Sequence, residues 1–501
     1  MTEGFLLGVA NVFNPTMLFY MFLGVIIGLI VGILPGLGGV ATLAILLPVV
    51  YGMNPAFALA FLIAIHATVY QGGAITSILF GIPGETATTA TILDGYPMAQ
   101  QGKAGRALAN SQVASMLGGI FGAVVLAAFI PIAKPIVLAF GSPELFMMAV
   151  MGISFVAVLS QRSTIKAFIT GALGLILSLV GFHYGTGALR YTGGIIYFYE
   201  GVKMVPVFMG LFAIPEVIEM AVGGETIAKV AGSDVKWGDI IQGINDVFHH
   251  WWLMIRCSTI GTIIGIIPGV GGVVAQFMCY GHAKQTSKRA EEFGKGCEEG
   301  VIGVQSGDNA KEGGALLTTL AFGIPGSSAM VIILGAMMVL GIKPGPEMIT
   351  KHLDILWTLV ITLIVSNVIA SVIGLMAARP LARLTFAKGT ILIPVILLLV
   401  ILGAYGVSND ITDVFMAFAF GALGYLMKMY DYSRVTFTIS FVLGDYVERY
   451  FLISLASLGP GFLLVSPIAV VLLILTILGL AGAPLKRSLK KFQNRRQERG
   501  V

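Results

Sequence analysis

Residues Gly28–Val40 read GLIVGILPGLGGV, and residues Gly261–Val273 read GTIIGIIPGVGGV. Nine of the thirteen positions are identical, and three of the other four exchange one aliphatic residue for another. A second pair follows downstream. Gly72-Gly73-Ala74 leads to Phe80-Gly81-Ile82-Pro83-Gly84, and Gly313-Gly314-Ala315 leads to Phe322-Gly323-Ile324-Pro325-Gly326. The order and approximate spacing are shared, so the chain contains an internal repeat. Proline removes an amide N–H and clashes with the preceding turn, which breaks a helix. Glycine tolerates positive φ and lets the chain leave or re-enter one. Each half is therefore expected to carry two helix breaks, at Pro35 and Pro83 and at Pro268 and Pro325.

These breaks lie in a very apolar chain. Of 501 residues, 57% are hydrophobic and 11% charged, against about 25% charged in soluble domains. So few charges cannot cover a water-facing surface. Runs such as Thr16–Leu34 and Leu463–Leu480 reach the ~20 residues that span ~30 Å of hydrocarbon. Long unbroken runs exclude a transmembrane barrel, whose strands alternate over ~10 residues. The expected fold is an all-α integral membrane protein with about 11–13 transmembrane segments and two inverted repeats containing broken or re-entrant helices. Segments 55–81 and 314–341 look interrupted and are expected to be re-entrant hairpins. The chain divides into a first repeat half (1–222), a polar cytoplasmic connection (223–250), a second repeat half (251–485) and a basic cytoplasmic tail (486–501).

Basic residues mark cytoplasmic loops. The tail from Lys486 to Arg499 is therefore inside, and counting back through the spans puts Lys103 and Arg106 inside and the N-terminus outside. The same count puts Lys343–Lys351 outside, so the repeats have opposite orientation. It also puts Lys284, Lys288, Arg289 and Lys295 outside, against the rule. Inverted repeats with discontinuous helices are a signature of secondary transporters, with the site near the bilayer midplane. The formal charge of +5 reflects the tail and not a nucleic-acid partner, and three cysteines make neither a metal site nor a disulfide frame.

A new half-helix after each break presents free N–H groups and a positive dipole end, which bind anions without a formal charge. The expected substrate-binding positions are Gly36, Gly38, Gly39, Gly84, Thr86 and Thr88 in the first repeat, and Gly269, Gly271, Gly272, Gly326, Ser327 and Ser328 in the second. The hydroxyls can donate to a carboxylate or give oxygens to Na+, or simply cap the half-helices. Gln71, Asp308 and Asn309 are candidate cation ligands; Asp308 reads equally as a solvated acid of the polar stretch 284–312. Asp94 reads as structural, His66 as a hydrogen-bonded packing residue, and Gly118 with Gly122 as a close-packing face.

With Thr91–Pro97 (TILDGYP) and Gly341–Pro346 (GIKPGP), these motifs resemble the large membrane subunit of tripartite tricarboxylate transporters, the TctA family. The likeness covers nearly the whole chain. It implies a permease of the bacterial inner membrane that works with a small four-span membrane subunit and a periplasmic solute-binding protein. Together these import tricarboxylates or related carboxylates, driven by Na+ or H+, with no cofactor besides a possible Na+ coupling ion and no catalysis. The family's Pro-Glu-Ser-x-Asn-Asn-Ala-like segment is here Val304–Ala310 (VQSGDNA), and its Tyr-Gly-Gly-Ser run is Tyr70-Gln71-Gly72-Gly73-Ala74. Both departures lie beside the expected cavity and bear on which carboxylate is carried. A trivalent anion entering a negative-inside cell faces roughly 7 kcal/mol per 100 mV, so a tricarboxylate requires co-transported cations. An anion channel is the alternative, since paired broken helices occur there too. An intramembrane protease using Asp308 and Asp431 is the weaker rival.

Overall fold

The computed structural model describes residues 2–34, 37–158, 163–223, 237–268, 271–377, 389–478 and 480. Apart from a two-residue antiparallel pair, β1 (Gly181–Phe182) and β2 (Leu189–Arg190), its regular structure is helical. In chain order the helices are α1 (Thr2–Val12), α2 (Pro15–Ile33), α3 (Gly39–Leu46), α4 (Pro55–Phe80), α5 (Ile92–Gln100), α6 (Ala104–Leu138), α7 (Ser142–Val158) and α8 (Thr164–Ser178). They continue with α9 (Met204–Phe208), a π-turn, α10 (Ile214–Gly223), α11 (Trp237–His249), α12 (Trp251–Ile266), α13 (Gly271–Thr286), α14 (Glu298–Phe322) and α15 (Ser328–Val339). The last are α16 (Pro346–Thr350), α17 (Leu353–Met376), α18 (Gly389–Ser408), α19 (Ile411–Met429), α20 (Arg434–Leu458) and α21 (Pro467–Leu478). Six helical stretches are long and apolar enough to cross a membrane among the described residues. The chain is an all-α integral membrane protein.

It forms two compact units. One comprises residues 1–137 and 203–426, the other 138–202 and 427–501. In the second unit α20 packs along α7 and α8, and Arg190 pairs with Glu448 at 2.8 Å. The repeats lie in the first unit.

Each repeat is built on a long helix buried along its whole length. Asn54 caps α4, accepting from the Ala56 N–H at 3.0 Å, with Pro55 at the first helical position, where its missing N–H costs nothing. The helix runs without a break to Phe80 and stops at Gly81, whose φ of +66° is left-handed. Its counterpart α14 stops at Gly323, φ +70°. The interruptions expected within 55–81 and 314–341 are thus junctions after complete helices. The polar stretch 298–312, read from sequence as part of a loop, is the first half of α14, with Asp308, Lys311 and Glu312 all buried. Averaged hydropathy placed it outside because protein, not lipid, covers it.

Helix α2 packs along α4 and α12 packs along α14, and glycines set the approach. A methyl on Gly28 or Gly32 would strike the carbonyls of Ile65 or Val69; one on Gly261 or Gly265 would strike those of Gly307 or Lys311. Likewise Gly72 lies against Leu29, and Gly314 against Thr262. These contacts fix the correspondence: Gly72 answers to Gly314 and Gly73 to Ala315, one residue off the Gly-Gly match read from sequence. Gly118 and Gly122 of α6 do form a close-packing face, against Ser306, Ala310 and Gly313 of α14.

Candidate functional site

The described segments that flank the four breaks pack together. Gly84 lies on Gly32 and Gly73, and Gly326 on Gly265 and Ala315, so the second break of each repeat packs on the helix that leads into the first. Between repeats the contacts cross over. The 3-10 turn Thr86–Thr91 packs on α13, with the Ala90 N–H donating to Gln276 Oε1 at 3.2 Å and Ala87 against Gly272. Reciprocally, α3 packs on α15. Pro83 and Pro325 both lie in the non-helical junctions, and Pro268 lies in the turn before α13. Pro35, Gly36 and Gly269 lie outside the described residues.

The two half-helix N-termini differ. At α3, the Gly39 N–H donates to Glu85 Oε2 at 2.6 Å, and Gly38 lies beside the same carboxylate. A carboxylate of the protein itself therefore holds the first anion seat. At α13, Gly272 lies against the end of the Lys311 side chain. The position matching Glu85 there is Ser327, whose Oγ accepts from the Met330 N–H at 3.4 Å and caps α15. Thr88 is engaged within its own turn: its hydroxyl donates to the Glu85 carbonyl at 2.7 Å and lies 2.9 Å from Ser77 Oγ. Ser328 is half-buried at the start of α15. Gly271, at φ +77°, opens α13, and the side chain of Thr86 lies outside the description.

Behind the breaks α4 and α14 carry a buried ionic cluster. Lys311 pairs with Glu312 and, at 3.4 Å, with Asp308, and its ammonium sits 3.8 Å from the centre of the Tyr70 ring. His66 Nε2 is 2.8 Å from Glu312 Oε2, and Gln276 donates to Asp308 Oδ2 at 2.8 Å. Burying such charges costs several kcal/mol per ion before pairing, and within a membrane protein they mark functional sites by default. Sequence reading missed Tyr70, Glu85, Gln276, Lys311 and Glu312. The available signal was a Lys-Glu pair directly before Gly313-Gly314, obscured by the acidic and basic residues upstream.

Gln71 and Asn309 face a different neighbour, α17. Gln71 Nε2 donates to Asn367 Oδ1 at 3.2 Å and to Ser371 Oγ at 3.1 Å, and Asn309 Nδ2 donates to Ser115 Oγ at 3.0 Å and to Asn367 Oδ1. Asp94 holds the loop entering α14, its Oδ1 accepting from the N–H groups of Gly294, Gly296 and Cys297 at 2.8–2.9 Å. A surface cavity of about 520 Å³ lies among Lys103, Arg106, Arg289, Glu292 and Glu298. Arg289 there is held above its ordinary pKa by hydrogen bonds to Glu292 and Glu298. None of the expected substrate positions lines that cavity.

Residues 18–439, spanning both repeats and every break, match the tripartite tricarboxylate transporter TctA family. The chain belongs to the TctA family. Among similar proteins, an uncharacterised 52.8 kDa protein from the TAR-I ttuC′ 3′ region of Agrobacterium vitis is 31% identical over 454 residues, which are 89% of this chain and 88% of that protein. A second uncharacterised protein, from the TAR-II ttuC′ 3′ region of the same organism, is 30% identical over 190 residues, 38% of this chain and 78% of its own length. No solved structure matches. As a TctA-family member the chain is the membrane component of a tripartite transporter, and its crossed hairpins are the part of that component described above.

Proposed function

We propose that this TctA-family chain is the permease subunit of a binding-protein-dependent secondary transporter that imports a di- or tricarboxylate across the bacterial inner membrane, coupled to Na+ or H+. It works with a small four-span membrane subunit and a periplasmic solute-binding protein. The observation that carries the reading is the packing of the segments that flank four helix breaks, from two matching hairpins, beside the buried ammonium of Lys311. One substrate carboxylate sits at the start of α13, on the N–H groups near Gly271 and Gly272, within reach of Lys311. A second is met by Ser328 and the start of α15. The first repeat contributes structure at this seat and not an equivalent anion site, since Glu85 already occupies the start of α3.

The hairpins are inverted in the membrane, with the N-terminus outside and the basic tail inside, a reading that the basic residues of the tail and of Lys103–Arg106 support. Arg289 and Lys295 line one surface cavity with Lys103 and Arg106, so they belong on the same side as those residues and not, as counted from sequence, on the opposite one. Inversion gives the outward-open and inward-open states related geometries. The protease alternative lacks support, because Asp308 is bound to Lys311 and Gln276.

The test is uptake of labelled citrate and of a panel of dicarboxylates into vesicles containing all three components. Accumulation above the outside concentration that collapses with the ion gradient is expected. Equilibration without accumulation would make the protein a channel.

A further inference from the structure

Helix α11 has 13 residues, about 20 Å of helix against the ~30 Å of hydrocarbon in a bilayer. It cannot span, and it carries Asp239, Asp246 and His249. One apolar face is covered by the protein: Ile240, Gly243 and Val247 are buried, Gly243 against the Arg106 carbonyl, and Asp246 pairs with Arg106 at 2.5 Å. A second apolar stripe, Trp237, Ile241 and Phe248, is 58–64% exposed. Trp251 and Trp252 at the start of α12 continue it, so three of the chain's four tryptophans lie exposed around one bend. Exposed tryptophans on a short amphipathic helix mark the level where bilayer meets water. The pair with Arg106 puts that level on the side of Lys103 and Arg106, the basic side read as cytoplasmic.

One turn past Trp252 stands Arg256. Trp252, Arg256 and Ile263, four and seven positions apart, share one face of α12, and Trp252 and Ile263 are both more than half exposed. Arg256 is therefore on a lipid-facing stripe and not in the core. Helix α13 packs back along α12. The thiols of Cys257 and Cys279 each donate to the other residue's carbonyl, at 3.8 and 3.4 Å, which fixes the register of the two helices. Beside that level α13 exposes Met278, and His282 lies one turn further on the same face. Both polar side chains hold a buried nitrogen with no acceptor, Arg256 Nε and His282 Nε2. Arg256 is the one charged group that acts on His282 among the described residues. No carboxylate serves the pair.

A partly buried guanidinium without an acceptor carries a desolvation cost that an anion from outside the chain would offset. Trp252, Ile263 and Met278 surround it with apolar surface, which suits a phosphate delivered on acyl chains better than one from solution. We propose that Arg256 and His282 seat the phosphate of an anionic phospholipid in the leaflet on the Lys103 side, its acyl chains lying along the exposed faces of α12 and α13. The guanidinium gives charge-assisted hydrogen bonds to the phosphate oxygens, and His282 adds a second donor through Nε2. Basic pockets between membrane helices on the cytoplasmic side take such headgroups. A bound lipid ties α12 to α13, the two arms of the break at Pro268. The seat does not depend on what the hairpins carry.

The experiment is native mass spectrometry of the purified full-length chain in detergent with added dioleoylphosphatidylglycerol or dioleoylphosphatidylcholine. Phosphatidylglycerol is expected to bind saturably as a discrete adduct, about tenfold or more tighter than phosphatidylcholine. Arg256→Gln should abolish that preference. His282→Leu, an apolar change at a lipid-facing position, should weaken it severalfold, and it serves alone if Arg256→Gln does not fold. Equal retention of the two lipids, or a preference intact in either variant, would overturn the proposal and leave this face to a protein partner. Displacement of phosphatidylglycerol by millimolar inorganic phosphate would overturn it as well, in favour of a free-anion site.

Discussion

On the long helix of the first hairpin, three successive positions on one face are His66, Val69 and Tyr70; on the second hairpin the matching positions are Asp308, Lys311 and Glu312. Just past the second break the first hairpin has Glu85 and the second Ser327. The backbones share their glycine contacts, their left-handed stops and their crossed packing, while the side chains have exchanged roles. One hairpin carries an acid that fills its own helix N-terminus. The other carries an ammonium beside the corresponding terminus. A duplicated scaffold gives symmetry of shape, which suits two related access states. The chemistry of binding one anion needs only one seat, and the divergence concentrates where that seat would be.

The sharpest way to break this comparison is Lys311→Met. It leaves Asp308 and Glu312 buried without their cation, a loss of about 3–5 kcal/mol, and uptake should vanish; Lys311→Arg should retain part of both. Wild-type Tm and uptake in Lys311→Met would show the asymmetry to be idle. Next, Gly32→Ala and Gly265→Ala should destabilise by similar amounts, about 1–3 kcal/mol, because each faces a backbone carbonyl of its own long helix. Strongly unequal unfolding midpoints would mean that the two halves do not share their packing.

A smaller effect is expected at the caps. Glu85→Ala should cost about 0.5–2 kcal/mol through the lost bond to the Gly39 N–H, and it should not weaken substrate binding. A large rise in uptake KM would place substrate at α3 after all. Last, cysteines replacing Lys103 and Lys343 should label from opposite sides of the membrane with little change in stability. Labelling from one side would refute the inversion.

Much of the scaffold was legible because its determinants are local. Proline and glycine act on their own backbone, so the junctions at Pro83 and Pro325 could be placed from the chain alone. The register of the second match could not, since Gly-Gly doublets slide by one residue without visible penalty; only the contacts of Gly72 with Leu29 and Gly314 with Thr262 settle it. The site was less legible still. Hydropathy reports what a segment would cost in lipid, and α14 never meets lipid, so its ionic face looked like a loop. Glu85 was hidden for a different reason: its partner, the Gly39 N–H, is a main-chain group that leaves no trace in composition. Gln71 and Asn309 were singled out from sequence, but their shared acceptor Asn367 lies on a helix remote in the chain.

Asp94 grips three amides of Gly294–Cys297 at the threshold of α14. It belongs to α5, directly behind the second break of the first hairpin, whereas the loop it grips opens the second. Pulling the hairpins apart would strip one carboxylate of all three donors together, a penalty far above thermal energy. This carboxylate therefore joins the two hairpins at one point, and the transport reading proposed above predicts that they shift together against what surrounds them.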